Sequence, residues 1–442
     1  MSTFSRNQSD ERALLAHVLN RRRFLTLLGG AGAAGAVGCS SAAPMRKANT
    51  NAAAAATADD SLPMSRSAVE PQPRRPVDPN GRLVVIEMQG GNDGLAMLQP
   101  FESGVLRDHR PGLISADEDL VDAGNGFGWH PALAGLAGLG ISGVVGVGSN
   151  DPDFSHFTME QRWWRGDSGR DSSARTGFFG RVCDVLDVGD PVTGLSFSGS
   201  PSPALASEKA VTVGLSDPGA SWFFSQDERW FDMLRTTYGA MSVASPDDNP
   251  RFEAARHGLA DTLRFAESLS EIPQEDDETY PWTDLGQQLR FASEVLDLDV
   301  GVRVMHVRQG GYDTHSGQEY RHRELMTELN DATMAFVNDL DARGRLDNTT
   351  IVTTSEFGRR VTNNDGGTDH GGASSMLVSS PASRAGGGAV YGEAPNLSRL
   401  DDGNLVATAR FEDYYASIAE ECFAIDASEV LPTGGTPITG LI

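Results

Sequence analysis

Leu83-Val84-Val85-Ile86 is a short apolar run that ends at the turn-forming cluster Gly90-Gly91-Asn92-Asp93-Gly94. It lacks polar alternation, so it reads as a strand buried on both faces of a mainly parallel sheet. Working outward, similar runs recur along the chain. Val144-Val145-Gly146-Val147 precedes Ser149-Asn150-Asp151-Pro152, Val302 to Val307 halts at Gly310-Gly311, and Thr349 to Thr354 runs into Ser355-Glu356-Phe357-Gly358. Ser375 to Val378 reads as a further strand. Helical stripes alternate with these runs: Phe252, Ala255, Leu259, Leu263 and Ala266; Leu285, Leu289, Ala292 and Leu296; and Leu325, Leu329, Ala332, Phe336 and Leu340. Phe411, Tyr414, Ile418 and Cys422 form a C-terminal stripe. Strands alternating with helices predict a doubly wound α/β domain over 83–442, its mainly parallel sheet flanked by helices. Residues 185–285, rich in Pro, Ser and Asp, interrupt the alternation and read as an insertion or cap.

The 442 residues are 39% hydrophobic, enough for a sizeable core. Acidic residues exceed basic ones by 61 − 36, a formal charge of −25, which repels phosphate backbones and argues against a nucleic-acid partner. Three cysteines exclude a disulfide scaffold. Cys183 and Cys422 read as buried thiols, with one bridge between them as the alternative.

Residues 1–39 read as an export signal. Arg21-Arg22-Arg23-Phe24-Leu25 leads into an apolar small-residue run to Gly38, too short for a spanning helix of ~20 residues. The arginine pair resembles the twin-arginine export motif, which makes that export machinery an expected partner. Ala36-Val37-Gly38-Cys39 resembles a bacterial lipobox, in which Cys39 carries the lipid. Gly30-Ala31-Gly32-Ala33-Ala34-Gly35 matches a dinucleotide fingerprint only by accident, since no strand precedes it. Residues 40–81, rich in Ala, Ser, Pro and Asn, read as a disordered tether. The membrane is therefore expected to be met only through a lipid anchor, on the outer side of the cytoplasmic membrane or in a periplasmic or extracellular form.

Ligands of open α/β sheets bind beyond the carboxyl ends of the strands. Polar residues cluster there: Asp93 after the first run, Ser155-His156 after the second, Asp313 and His315 after the third, Glu356 after the fourth, and Asp369-His370 before the fifth. Carboxylates and imidazoles converging on one edge suit a divalent metal. Each residue also has a plainer role open to it. Asp93 suits a turn, Glu356 an ion pair with Arg359 or Arg360, and Ser155 the N-cap of a helix over 156–165. His322 lies on a helical stripe and faces either core or site. No G-x-S-x-G elbow, H-E-x-x-H helix, C-x-x-C pair or Walker loop occurs.

The ordered motifs GGNDGL (90–95), FGWHPAL (127–133), SHF (155–157), TGFFGR (176–181), GGYDTHSGQ (310–318), SEFGRR (355–360) and GGTDHGG (366–372) resemble the bacterial domain of unknown function 1501 family. That family is grouped with the alkaline phosphatase-like superfamily, whose members hydrolyse phosphate or sulfate monoesters, or isomerise phosphosugars, with two divalent metals. The resemblance implies Asp93 as the first-strand metal aspartate and Ser155 as a nucleophile at a helix N-terminus. It implies Asp313 and His315 as ligands of one metal, Glu356 as the acidic ligand of the second, and His370 as the last histidine. On this reading Asp369 ligates or orients His370, and Arg359 clamps a substrate oxyanion. Two departures stand out. The Asp-x-His spacing is shorter than the superfamily's, and Glu356-Phe357 replaces an Asp-His pair, losing a nitrogen ligand. The second ion is then poorly held or a harder Mg²⁺, Mn²⁺ or Ca²⁺ in place of Zn²⁺. No C-x-P-x-R or S-x-P-x-R sulfatase signature occurs. The expected activity is metal-dependent hydrolysis of a phosphate or sulfate ester on a small molecule or glycan. The alternative is a non-catalytic surface binding or assembly lipoprotein with a degenerate site.

Overall fold

Strand β1 (Arg82–Gln89) lies inside a sheet that runs on, in chain order, through β2 (Ser142–Gly148), β3 (Gly194–Ser196), β4 (Thr212–Gly214), β5 (Val304–Gly310), β6 (Thr349–Thr354), β7 (Ala373–Ser379), β8 (Val390–Tyr391) and β9 (Ala409–Arg410). The structure, a computed structural model, describes residues 80–169, 172, 174–187, 189, 191–197, 201–215, 228–242, 250–269, 272 and 278–442. The export signal, Cys39 and the tether up to residue 79 lie outside the described residues. The spatial strand order is β8-β2-β7-β6-β1-β5-β3-β4, with β9 also pairing β2. Every pair is parallel except those of β7, which runs antiparallel to β2 and β6. The architecture is the mixed, mostly parallel, helix-flanked sheet that the alternation predicts.

Leu83, Val84, Val85 and Ile86 are all fully buried, which accounts for the unalternated run. Each such side chain contributes about 2 kcal/mol by leaving water. The longer helices are α1 (His156–Arg165), α2 (Phe178–Leu186), α3 (Glu228–Ser242), α4 (Pro250–Leu269), α5 (Asp284–Leu298), α6 (Gln318–Ala342) and α7 (Phe411–Ser417). The stripes on α5, α6 and α7 are buried as read, the last continuing into a π-helical turn over Ile418–Cys422. The α4 stripe is buried only at its C-terminal end. Phe252 is exposed, and Phe265, Ala266 and Leu269 face the core instead. Within the 185–285 segment, β3 and β4 extend the sheet beyond β5 before α3 and α4 begin. Cys183 and Cys422 are free and buried. Among the described residues no helix is long and apolar enough to cross a membrane.

The topology brings the polar loops to one edge. Gln89 is paired with Gly310 and Glu87 with Thr354, so the loops after β1, β5 and β6 leave the sheet side by side. Because β7 runs the other way, its first residue Ala373 pairs with Gly148 at the end of β2. The segment before β7, which carries His370, therefore arrives at the edge from which the 149–156 loop departs.

Candidate metal centre

Asp313, in the loop after β5, is the hub of this edge. His315 Nε2 and His370 Nε2 lie 3.1 Å from its Oδ1, and His156 Nε2 lies 3.5 Å from its Oδ2. Ligand atoms of His156, Asp313 and His370 all fall within 4.8 Å of one another, a spacing suited to a metal ion. His315 Nε2 is 3.0 Å from His370 Nε2.

The opposite nitrogen of each ring is occupied by an acceptor. His370 Nδ1 donates to the Phe154 carbonyl at 2.7 Å, His156 Nδ1 to Glu356 Oε1 at 2.9 Å, and His315 Nδ1 to Asp369 Oδ1 at 3.2 Å. A carbonyl or ionised carboxylate only accepts, so the proton sits on Nδ1 and the Nε2 lone pair faces Asp313. Three lone pairs and a carboxylate pointing at one another repel unless a cation lies among them. This is the donor arrangement of metal-bound histidines held by outer hydrogen bonds.

Electrostatics agree. Burial alone would raise the Asp313 carboxyl, but the Arg359 guanidinium, which donates a hydrogen bond to its Oδ1, outweighs burial and holds it at about 2. Burial lowers His370 against the pull of the Phe154 carbonyl, keeping the ring neutral. The Glu356 hydrogen bond raises His156 above its ordinary value.

The remaining sequence candidates sit elsewhere. Asp93 is buried, paired with Arg110 at 2.5 Å and bonded by Gln318 Nε2, and it caps the short helix Gly94–Met97. It is not in the cluster. Arg359 is fully buried and donates to the carbonyls of Gly90, Gly91, Tyr312 and Thr368 and to Asp313. It knits the loops together and is walled off from solvent, where a substrate clamp would need to reach. Glu356 is buried, and its Oε1 takes Gly90 N as well as His156. Asp369 binds His315, not His370. Phe357, where the superfamily resemblance implied a lost nitrogen, stacks on the His370 ring at 4.3 Å between centroids. Gly90 is needed against the Tyr312–Asp313 backbone: its φ is +118° and a side chain there would strike the Asp313 amide.

Ser155 is the N-cap residue of α1, yet its side chain makes no capping hydrogen bond. It lies between Phe154, whose carbonyl binds His370, and His156. His156 is the residue the sequence reading left out of the ligand set. The one available signal is its place as the first residue of a helix, where side chains tilt back toward the N-terminus and so reach the loops ahead of it.

Beneath the cluster, His322 donates to Asn92 Oδ1 at 3.1 Å and packs edge-on to His130. It faces the core. Burial depresses both rings, each to about 4 from the ordinary 6.5. The unfolded chain takes up both protons below pH 6.5, whereas the folded chain refuses them until about pH 4, so stability must fall with pH across that window. The loss is about 3 kcal/mol per histidine, and less than double for the neighbouring pair. Urea midpoints at pH 7 and 4.5 measure it. His322→Gln, which keeps a donor for Asn92, should flatten the dependence, and an unchanged slope would count against this account.

The site thus defines an α/β protein with a candidate His/Asp metal centre at the carboxyl edge of its sheet. The family model described as a protein of unknown function (DUF1501) matches residues 167–412, more than half of the chain, and the chain belongs to that family. The match contains Asp313, His315, Glu356, Asp369 and His370, whereas Ser155 and His156 precede it. No curated protein matches the chain. Among solved structures it is similar to the phosphonate monoester hydrolase of Agrobacterium radiobacter, at 10% identity and TM-score 0.34 over 80% of this chain and 77% of that one. It is also similar to the alkaline phosphatase of the Antarctic bacterium TAB5, at 11% identity and TM-score 0.30 over 70% and 95%. The PsFucS1 sulfatase of Pseudoalteromonas sp. stands at 11% and 0.33 over 80% and 70%.

Proposed function

We propose that the protein is an exported, lipid-anchored, metal-dependent hydrolase of a phosphate or sulfate ester carried by a small molecule or glycan. The observation that carries this reading is the convergence of three Nδ1-anchored imidazoles on Asp313. His156, His315, His370 and Asp313 would hold a divalent ion, and a set of three nitrogens and one oxygen fits Zn²⁺ better than Mg²⁺ or Ca²⁺. His156 supplies the nitrogen that Glu356-Phe357 withholds, and Glu356 and Asp369 orient rings instead of ligating. Bound there, the ion would supply a Lewis acid for an ester oxygen. Ser155, at the head of α1 with its hydroxyl not spent on capping, is the proposed nucleophile, and the helix N-terminus favours the anionic ester. Asp93 and Arg359 position loops. Hydrolysis of aryl phosphate and aryl sulfate with and without chelator tests the reading: turnover should be lost with chelator and return with Zn²⁺. A wild type silent on both esters with any divalent ion would leave the alternative, a non-catalytic binding lipoprotein. That reading draws on there being one cluster, not two, among the described residues.

Export through the twin-arginine route and lipidation at Cys39 complete the proposal. Lysine at both Arg21 and Arg22 should block export, and Cys39→Ala should release the protein from the membrane fraction. Normal export of the double-lysine variant would refute the route.

A further inference from the structure

Beside Glu356, α1 and the sheet border a small cavity. Its lining includes Glu356, His306, Trp163, Glu87, Glu160 and Ser355. Three of these lining residues each carry a buried polar atom with no hydrogen-bond partner among the described residues: Trp163 Nε1, His306 Nδ1 and Glu356 Oε2. Their residues are 3%, 1% and 3% exposed, so bulk water does not satisfy them. Other lining groups are already engaged. Glu87 accepts from Trp164 Nε1 at 2.9 Å and Arg308 Nε at 2.8 Å, Glu160 from Gln89 Nε2 at 3.0 Å, and Ser355 Oγ donates to the Met88 carbonyl at 3.0 Å. His306 Nε2 faces Glu87 Oε2 at 3.5 Å, which favours the proton on that nitrogen and leaves Nδ1 an acceptor. The unfilled capacity is therefore one donor, the Trp163 indole N–H, and two acceptors, His306 Nδ1 and Glu356 Oε2.

One donor and two acceptors are the complement of a single water, which accepts one hydrogen bond and gives two. The cavity, with ≈ 10 Å³ open to the centre of a water molecule, has room for a water. A metal cation fits poorly, because an indole N–H repels it.

We propose that this cavity is a structural water site, and that through it Trp163 and His306 act as positioning residues for Glu356. The water fixes one carboxylate oxygen, so that the other stays aimed at His156 Nδ1 and the His156 ring keeps its Nε2 toward Asp313. The positioning role rests on the metal reading above; the water site does not. Outer hydrogen-bond partners of this kind typically change metal affinity by roughly 10–100-fold when lost.

The test is a crystal structure of the wild-type protein at a resolution that shows ordered waters, paired with Zn²⁺ titration calorimetry. A single peak at hydrogen-bonding distance from Trp163 Nε1, His306 Nδ1 and Glu356 Oε2 is expected. A cavity without a peak, or a peak at metal-coordination distances near 2.1 Å, overturns the water site. Trp163→Phe keeps an aromatic ring against Phe411, on which Trp163 stacks at 4.8 Å, and removes the donor together with the five-membered ring that carries it. It should raise the Zn²⁺ dissociation constant about 10-fold. Phe411→Leu, which loosens the same stack without touching a hydrogen bond, should leave that constant unchanged. Equal Zn²⁺ affinities for wild type and Trp163→Phe, or equal losses in both variants, overturn the positioning role. If the wild type binds no Zn²⁺, the metal reading and the positioning role fall together, while the density peak still decides the water site.

Discussion

Ser155→Ala should lower turnover of an aryl phosphate or sulfate by roughly 10³-fold or more, with the folded state almost intact. A serine hydroxyl is a weak nucleophile at neutral pH and needs an ion or a base beside it. His156 is the nearest base in sequence, but its Nδ1 is committed to Glu356 and its Nε2 faces Asp313, so neither nitrogen is free to take the serine proton. Activation therefore falls to the ion. If Ser155 were only an N-cap, its loss would cost ~1 kcal/mol of stability and leave turnover alone. The side chain makes no capping bond, so even that cost should be small. A fully active Ser155→Ala enzyme would move the nucleophile elsewhere, with Thr158 the next residue to test.

Metal content should respond as sharply. Inductively coupled plasma analysis of the purified protein should find one zinc per chain, not two. His156→Ala and His370→Ala should each weaken binding by about two orders of magnitude, since each removes a direct ligand. His257→Ala, on the exposed face of α4, should change nothing. Asp93→Asn should leave the stoichiometry at one, because Asp93 is spent on Arg110 and Gln318. Unchanged stoichiometry in the two ligand variants would refute the ligand set.

The strands were readable because burial on both faces leaves a direct mark, an unbroken apolar run such as 83–86. The edge was readable because glycine-rich stops follow those runs. The direction of β7 was not, since an apolar strand reads alike either way, and its reversal is what delivers His370. Nor does sequence separate Arg359 from its neighbour. SEFGRR offers two arginines, and only packing shows that Arg359 is buried among carbonyls while Arg360 reaches Asp402 at the surface. Asp93 looked like a ligand because its partner Arg110 lies in a separate loop. His156 was placed at the edge but left out of the ligand set, because its place at a helix start hints at the ring's direction while where that helix docks decides it.

The three ring anchors differ in how deeply they are set. The Glu356 side chain is 2% exposed and the Phe154 carbonyl belongs to the backbone, whereas the Asp369 side chain is 54% exposed and holds His315 from the solvent side. The centre is thus a vice with two fixed jaws and one hinged jaw. An ion would be gripped first by His156, His370 and Asp313, and secured last by His315. Release would run in reverse, so the exchange rate of an ion would be set by how often one surface hydrogen bond opens, and its affinity mainly by the two anchors beneath.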